Sequence, residues 1–329
     1  MGVIFFGGKV TLIITGYVHK TGFHTEYPKL PHEFEVVRTP TDKSQKKSGI
    51  FSIADSVITT IGGAGKIPLL KGFKKIVNMP IKLWKPYFVG SDFRGYFSTF
   101  LECECFIAFA GSTLTSQHVL NLISNHLSEL RIDYRSKRVG SGDFIVVKSC
   151  DHNELISTAS FSQYDDDLFI PEKDYAGLLT ANVIVDVVEH SINKALSSAK
   201  EFRLSEKAFN EMYTEFTLGI NCPATGEDVI YQFDMDKRLN SDGVFEVFVN
   251  KQRIAENQVS IIGMRNEFKN RIDDVVESAI NNNINLCDEL TNFMAQAISE
   301  VDERGSFEIG RPIVVKKLKD GKLKKISVQ

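Results

Sequence analysis

The chain lacks a charge surplus. Its 39 Lys and Arg stand against 42 Asp and Glu, a formal net charge of −3. That balance argues against a nucleic-acid or other polyanionic partner. It also lacks long hydrophobic runs. The apolar start "MGVIFFGGKVTLIITGYV" is broken by Gly7, Gly8, Lys9 and Gly16, with no basic leading segment and no small-residue cleavage site. It reads as strand, not as a signal peptide or membrane span. No other stretch approaches the roughly 20 apolar residues that cross a bilayer. Paired cysteines are missing too. Cys103, Cys105, Cys150, Cys222 and Cys287 are irregularly spaced with no CxxC pair. That spacing suggests neither a zinc site nor a disulfide framework, and fits reduced intracellular thiols. The expectation is a cytoplasmic protein with no membrane partner.

Signature motifs are also scarce. "GGAGK" at 62–66 has Thr60 where a phosphate loop needs its first Gly, and Ile67 where it needs Ser or Thr. "DDD" at 165–167 reads as a solvated acidic loop. No HExxH or GxSxG occurs. The seven His are scattered, and His118 and His126 fall on an amphipathic helix where surface or satisfied positions are the default. No cofactor and no metal is expected.

What is present is enough chain for a large core: 329 residues, 43% hydrophobic. A β-branched run from Val10 to Val18 predicts a buried strand. Residues 19–48 are polar and read as a long connection. Ile50–Thr60 predicts a second strand and Lys74-Lys75-Ile76 opens a short third. Residues 77–98 hold aromatics without a clear period and read as an insertion. Cys103–Ala110 is a compact apolar strand that stops at Gly111-Ser112. Val119, Leu122, Ile123, Leu127 and Leu130 then recur at helical spacing, with Ser112 or Thr113 as N-cap.

A second helix is predicted over about 180–202. Strand-like runs follow at "EFTLGIN", "DVIYQFD", "VFEVFVN" and "VSIIGM", with turn chemistry between them. Helices are predicted near Asn266–Ile280 and Leu286–Glu303. Asp320-Gly321 can turn a closing hairpin. Strands, two helices, strands, two helices, strands is an α+β order. It fits a four-layer αββα sandwich, two mainly antiparallel sheets flanked by helix pairs. One domain over 1–329 is expected, with insertions at 19–48, 77–98 and 131–178.

The ordered trio "SIADSVIT", "KGFKKI" and "FIAFAGSTLTSQHVLNLI" resembles the proteasome-type branch of the N-terminal-nucleophile hydrolases, which includes proteasome β subunits and the HslV protease. There a strand ends in A-D-S, a Lys opens a later strand, and an A-F-A-G-[ST] turn leads into the first helix. "IIGM" is similar to that family's late A-I-G-S-G turn, with Met264 where the Ser stands. The resemblance covers roughly residues 10–130 and 255–318. It implies a threonine-type peptidase that cleaves peptide or protein substrates through an acyl-enzyme, in a homo-oligomer, as rings are in relatives. A non-catalytic assembly subunit and a small-molecule amidase are the alternatives.

The chemistry of such a site can be stated without the resemblance. A Thr hydroxyl needs a base to take its proton. An α-amine, with pKa about 7.7–8.0, can be that base if Thr begins the chain. A charged Lys nearby keeps the amine neutral, and a buried Lys needs a carboxylate partner. Mapped by motif, Asp55 and Lys75 are the charge pair and Gly111 gives an oxyanion N–H. Thr59 and Thr113 offer backbone contacts to a substrate strand, and Asp302 approximates the residue that orients the amine. Read alone, Asp55 is instead a turn residue and Lys75 a surface lysine. The nucleophile is Thr11 or Thr39. Thr39 lies 16 positions before Asp55 (55 − 39), the family's interval, but in a charged, Pro-broken run. Thr11 opens the better strand. Its exposure requires loss of residues 1–10 as a short propeptide, or translation starting at Val10.

Overall fold

The computed structural model describes residues 11–19, 47–62, 65–90, 92–135, 142–157, 171–201 and 204–328. The rival nucleophile Thr39, nearly all of the 19–48 connection, the "DDD" loop and residues 1–10 lie outside the described residues.

The first β-branched run forms β1, Leu12–His19, which pairs antiparallel with β2, Lys47–Ala54. A small hairpin of β3, Ile58–Gly62, and β4, Gly65–Leu70, follows. The predicted strand over 50–60 is therefore two strands, broken at Asp55-Ser56-Val57. Then come β5, Ile76–Val89, and β6, Asp92–Gly111, paired along their whole length from Ile76 with Ala108 to Val89 with Asp92. Residues 77–98 are the outer part of that one long hairpin. The ribbon shifts register at Leu83/Trp84, Lys85/Pro86 and Tyr87/Phe88. Each shift resets the inside–outside alternation, so no period of two survives in the sequence.

Helix α1, Thr113–Ser128, is capped by Ser112, whose side chain accepts the Thr115 N–H. Strands β7, Leu130–Arg135, and β8, Asp143–Val147, continue the sheet, followed by short turns of helix α2, Glu154–Ser157, and α3, Pro171–Asp174. Most of the 131–178 segment that is described is thus ordered secondary structure. Helix α4, Ala181–Leu196, is capped by Thr180 and ends in a 3₁₀ turn over Ser197–Glu201. Helix α5, Glu206–Met212, leads into β9, Thr214–Asn221, β10, Asp228–Leu239, β11, Phe245–Arg253, and β12, Ser260–Gly263. Helices α6, Arg265–Asn281, and α7, Leu286–Glu303, precede the closing hairpin of β13, Val314–Lys319, and β14, Lys322–Val328. Asp320 and Gly321 turn that hairpin with φ of 51° and 67°, the left-handed pair that two-residue hairpins require.

The fold is α+β. One sheet has strand order β12-β1-β2-β13-β14, and the larger has order β11-β10-β9-β6-β5-β7-β8. Every pairing is antiparallel except β5 with β7. Apolar side chains separate into three clusters. One joins α6 and α7 to the five-stranded sheet, through Phe268, Ile272, Met294 and Ile298 against Leu12, Ile14 and Ile53. Another joins α1 and α4 to the seven-stranded sheet, through Val119, Ile123, Ile184 and Val188 against Met79, Ile107 and Leu218. The third draws from both sheets: Ile13, Tyr17, Ile50 and Ala54 meet Ile76, Phe106, Ala108 and Ile230. Tyr17 crosses this layer, its hydroxyl donating to Ile254 O and accepting from Ile230 N–H, and burial pushes its pKa up to about 12. Among the described residues no helix is long and apolar enough to cross a membrane.

Candidate active site

Antiparallel pairing places several strand ends together. Thr11 immediately precedes β1, and Asp55 immediately follows β2, whose Ala54 pairs with Ile13. Lys75 immediately precedes β5, whose Ile76 pairs with Ala108 near the end of β6. Residues separated by up to 64 positions therefore come to one end of the two sheets, where Lys75 meets Thr11.

The geometry there is close. Lys75 Nζ donates to Thr11 Oγ1 at 2.7 Å and to both Asp55 oxygens at 2.9 Å. Asp55 is fully buried, Lys75 is 4% exposed and Thr11 5%. Asp55 is saturated: Oδ1 also accepts Leu12 N–H at 3.1 Å, and Oδ2 accepts Val57 N–H at 3.2 Å. All three ammonium protons of Lys75 are engaged, and a buried ion pair is tolerated only when its remaining hydrogen-bonding capacity is filled in this way. Burial pushes the Lys75 pKa below the ordinary lysine value, while the Asp55 charge and hydrogen bonds pull it back up. Lys75 is thus not a surface lysine, and Asp55 does both jobs: it holds the 55–57 turn through Val57 N–H and pairs with Lys75.

The Thr11 backbone is held on both sides. Its N–H donates to Glu308 O at 3.1 Å, and its carbonyl accepts Met264 N–H at 2.8 Å. Its φ is 85°. For a β-branched residue that is a strained, rare conformation. The close approach depends on Gly263, φ 90°, where an added Cβ would lie 1.9 Å from Thr11 O.

Gly111 ends β6 with φ 123°. Ser112 N–H donates to Tyr213 O across to β9, and Phe109 N–H donates to Lys75 O across to the β5 side. Donors alternate sides along a strand. The Gly111 N–H is accordingly turned away from β9, toward the side where β5 has already ended. A side chain at Gly111 would meet Tyr213 O at 2.3 Å.

Other expected residues stay apart. Thr59 sits in the β3–β4 hairpin, paired with Pro68. Thr113 opens α1. Asp302 is exposed in the last turn of α7, its carbonyl accepting Gly305 N–H at 2.9 Å. None is in hydrogen-bond contact with the trio. The contact to the Thr11 nitrogen comes from Glu308 instead.

A second buried network, which no motif in the sequence marks, lies beside the Gly263 turn. Glu215 is 1% exposed and accepts Gly263 N–H at 2.6 Å through Oε2. Arg265 bridges Glu215 and Asp234 at 3.4 and 3.2 Å. A lone acid in the apolar run "TEFTLGIN" was the available signal.

The expectation that the chain belongs to the proteasome-type branch is corrected by comparison with known proteins. No family model matches the chain, and no curated protein matches it. The solved structures it resembles include the Anbu (Gly-1) mutant from Hyphomicrobium sp. strain MC1, at 14% identity and TM-score 0.44, over 96% of this chain and 87% of that one. A second structure of Anbu from the same strain is 15% identical with TM-score 0.40, over 85% and 84% of the two chains. Likeness at that level carries no argument about activity. The three short motifs that suggested the family are a strand end, a strand start and a turn, and they are too small to establish descent.

Proposed function

We propose that the chain is a hydrolase that cleaves amide bonds with Thr11 as an N-terminal nucleophile. The observation that carries this is the Lys75 ammonium, 2.7 Å from Thr11 Oγ1 and anchored by a saturated Asp55. A cation donating to a hydroxyl oxygen stabilises the alkoxide that forms as the proton leaves. The proton's acceptor is the Thr11 α-amine, present once residues 1–10 are gone. The positive φ of Thr11 ceases to exist when the bond to Val10 is cut, so strain relief favours the free end.

The steps follow from these groups. Thr11 Oγ attacks the scissile carbonyl carbon while its proton passes to the α-amine. The oxyanion is held by the Gly111 N–H. Collapse expels the amine product, which takes the proton from the α-ammonium, and an ester to Thr11 remains. Water, deprotonated by the α-amine, hydrolyses that ester. Lys75 stays charged throughout. Thr113 and Thr59 are assigned backbone contacts to an extended peptide added as a strand. The three apolar clusters support reading the fold as four layers, helix pair, sheet, sheet, helix pair, with the site at one end of the inner two.

The decisive experiment is intact-mass and N-terminal analysis of the purified protein, paired with turnover of a fluorogenic peptide amide. We expect a chain beginning at Thr11, covalently labelled by a threonine-directed electrophile, with turnover lost in Thr11→Ala. A chain retaining residues 1–10, unlabelled and without turnover, would overturn the proposal in favour of a non-catalytic subunit. Turnover of small amides without peptides would narrow it to a small-molecule amidase.

A further inference from the structure

A second cluster lies on the outer side of the larger sheet. His126 stands in the last turn of α1, His190 in α4, and Cys150 on the turn after β8. One ligand atom from each lies within 4.8 Å of the other two. We propose that these three side chains form a zinc(II) site that clasps the two helices to the β8–α2 turn.

The geometry carries the proposal. Cys150 Sγ is 3.6 Å from His190 Nε2. With Zn–S about 2.3 Å and Zn–N about 2.0–2.1 Å, a tetrahedral angle at the metal separates sulfur and nitrogen by about 3.6 Å. That edge of the tetrahedron is already built. The His126 tautomer is also fixed. Ser191 Oγ donates its proton to Val187 O at 2.6 Å, so it can only accept from His126 Nδ1, 2.8 Å away. His126 therefore carries its proton on Nδ1 and keeps the basic lone pair on Nε2. Metal-ligating histidines are oriented in this way, by a partner on the other ring nitrogen.

Both imidazoles are half-buried, their ring centroids 5.4 Å apart. Asp151 is close enough to influence both rings, but its carboxylate is held by Lys148 Nζ at 2.9 Å and Lys148 N–H at 3.1 Å. Water takes the fourth position. Mixed thiolate and imidazole donors select zinc over calcium or magnesium. On binding, the Cys150 thiol gives its proton to solvent and coordinates as thiolate. The sequence hid this site: Cys150 falls in no CxxC pair, and the two His lie 64 positions apart (190 − 126) on different helices.

The test uses the full purified chain, stripped with a chelator and titrated with cobalt(II), then zinc(II). We expect one equivalent of cobalt with a thiolate charge-transfer band, bleached by zinc. Cys150→Ser should remove the band with an unchanged far-ultraviolet circular dichroism spectrum. Ser191→Ala, which frees the His126 ring, should weaken binding about 10–100-fold while keeping the band. A folded wild type without the band, or a band that survives Cys150→Ser, would overturn the proposal.

Discussion

Among the described residues, the trio around Thr11 and the cluster around Cys150 differ in what they leave unused. Around Thr11, almost every donor and acceptor is taken. Asp55 accepts from two backbone N–H groups and from Lys75, and Lys75 spends its three protons on Asp55 and Thr11. Only the Thr11 hydroxyl proton has no acceptor among the described residues. Around Cys150 the reverse holds. Among the described residues His126 Nε2 has no hydrogen-bond partner, the Cys150 sulfur has only its 3.6 Å contact to His190 Nε2, and Cys150 is exposed. A saturated buried pair makes one reactive atom, whereas an open cluster makes a binding site. The two regions teach that chemical potential lies in the unsatisfied atoms, not in the number of polar residues.

Substitutions at each cluster test that contrast. The largest effect should follow removal of the single free atom. Thr11→Ala should lower turnover of a peptide amide at least about 10³-fold, with the thermal transition little changed. Next is the partner of Lys75. Asp55→Asn leaves a buried ammonium without its carboxylate and should cost about 3–5 kcal/mol, read by urea denaturation. The pH dependence of that variant is fixed in sign. Lys75 has a folded pKa below its ordinary 10.5, so between the two values the folded state binds fewer protons than the unfolded. Stability therefore rises with pH across that window. Losing Asp55 removes the group that pulls the pKa up, so the window widens downward. The deficit at pH 7 should shrink steadily toward pH 10, and a deficit that grows instead would show that Lys75 is not the buried cation responsible.

Gly263→Ala comes third. Its Cβ would press on Thr11 O at 1.9 Å in a left-handed backbone, so it should cost about 1–3 kcal/mol and lower activity by more than the stability loss explains. Cys150→Ser should leave peptide turnover by zinc-free protein within about twofold while removing metal-dependent stabilisation. That stabilisation is about 2.7 kcal/mol at a metal concentration of 100 times Kd, read by thermal denaturation with and without zinc. Smallest is Ser112→Ala, which removes the α1 cap and should cost about 1 kcal/mol in thermal denaturation.

Much of the fold could be read from residue order. Helix α7 has the predicted bounds, α6 lies within a residue of them, and the Asp320-Gly321 hairpin forms as its dipeptide dictates. The β5–β6 ribbon did not yield, because three register shifts erase the alternation that marks a half-buried strand. The Thr11, Asp55 and Lys75 trio came from the motif resemblance, since the residues read alone gave Asp55 as a turn residue and Lys75 as a surface lysine; antiparallel pairing of β1 with β2 and of β5 with β6 is what brings them together. Asp302 came from a motif match, which says nothing of which way a helix end faces; its side chain is exposed in the last turn of α7. The His126 cluster left no mark in the sequence, and Glu215 showed only as a lone acid in an apolar strand. Their partners are set by packing between elements, and no local spacing records it.

Helix α1 has its own consequence. It starts at the turn beside Gly111 and carries His126 near its far end, 13 residues after Thr113, or about 20 Å at 1.5 Å per residue. A helix hardly stretches, so it behaves as a strut with one foot at each cluster. Fixing His126 at one foot restricts how far the other can drift. The position of the Gly111 N–H is thus referenced to a point two nanometres away, at the other end of α1.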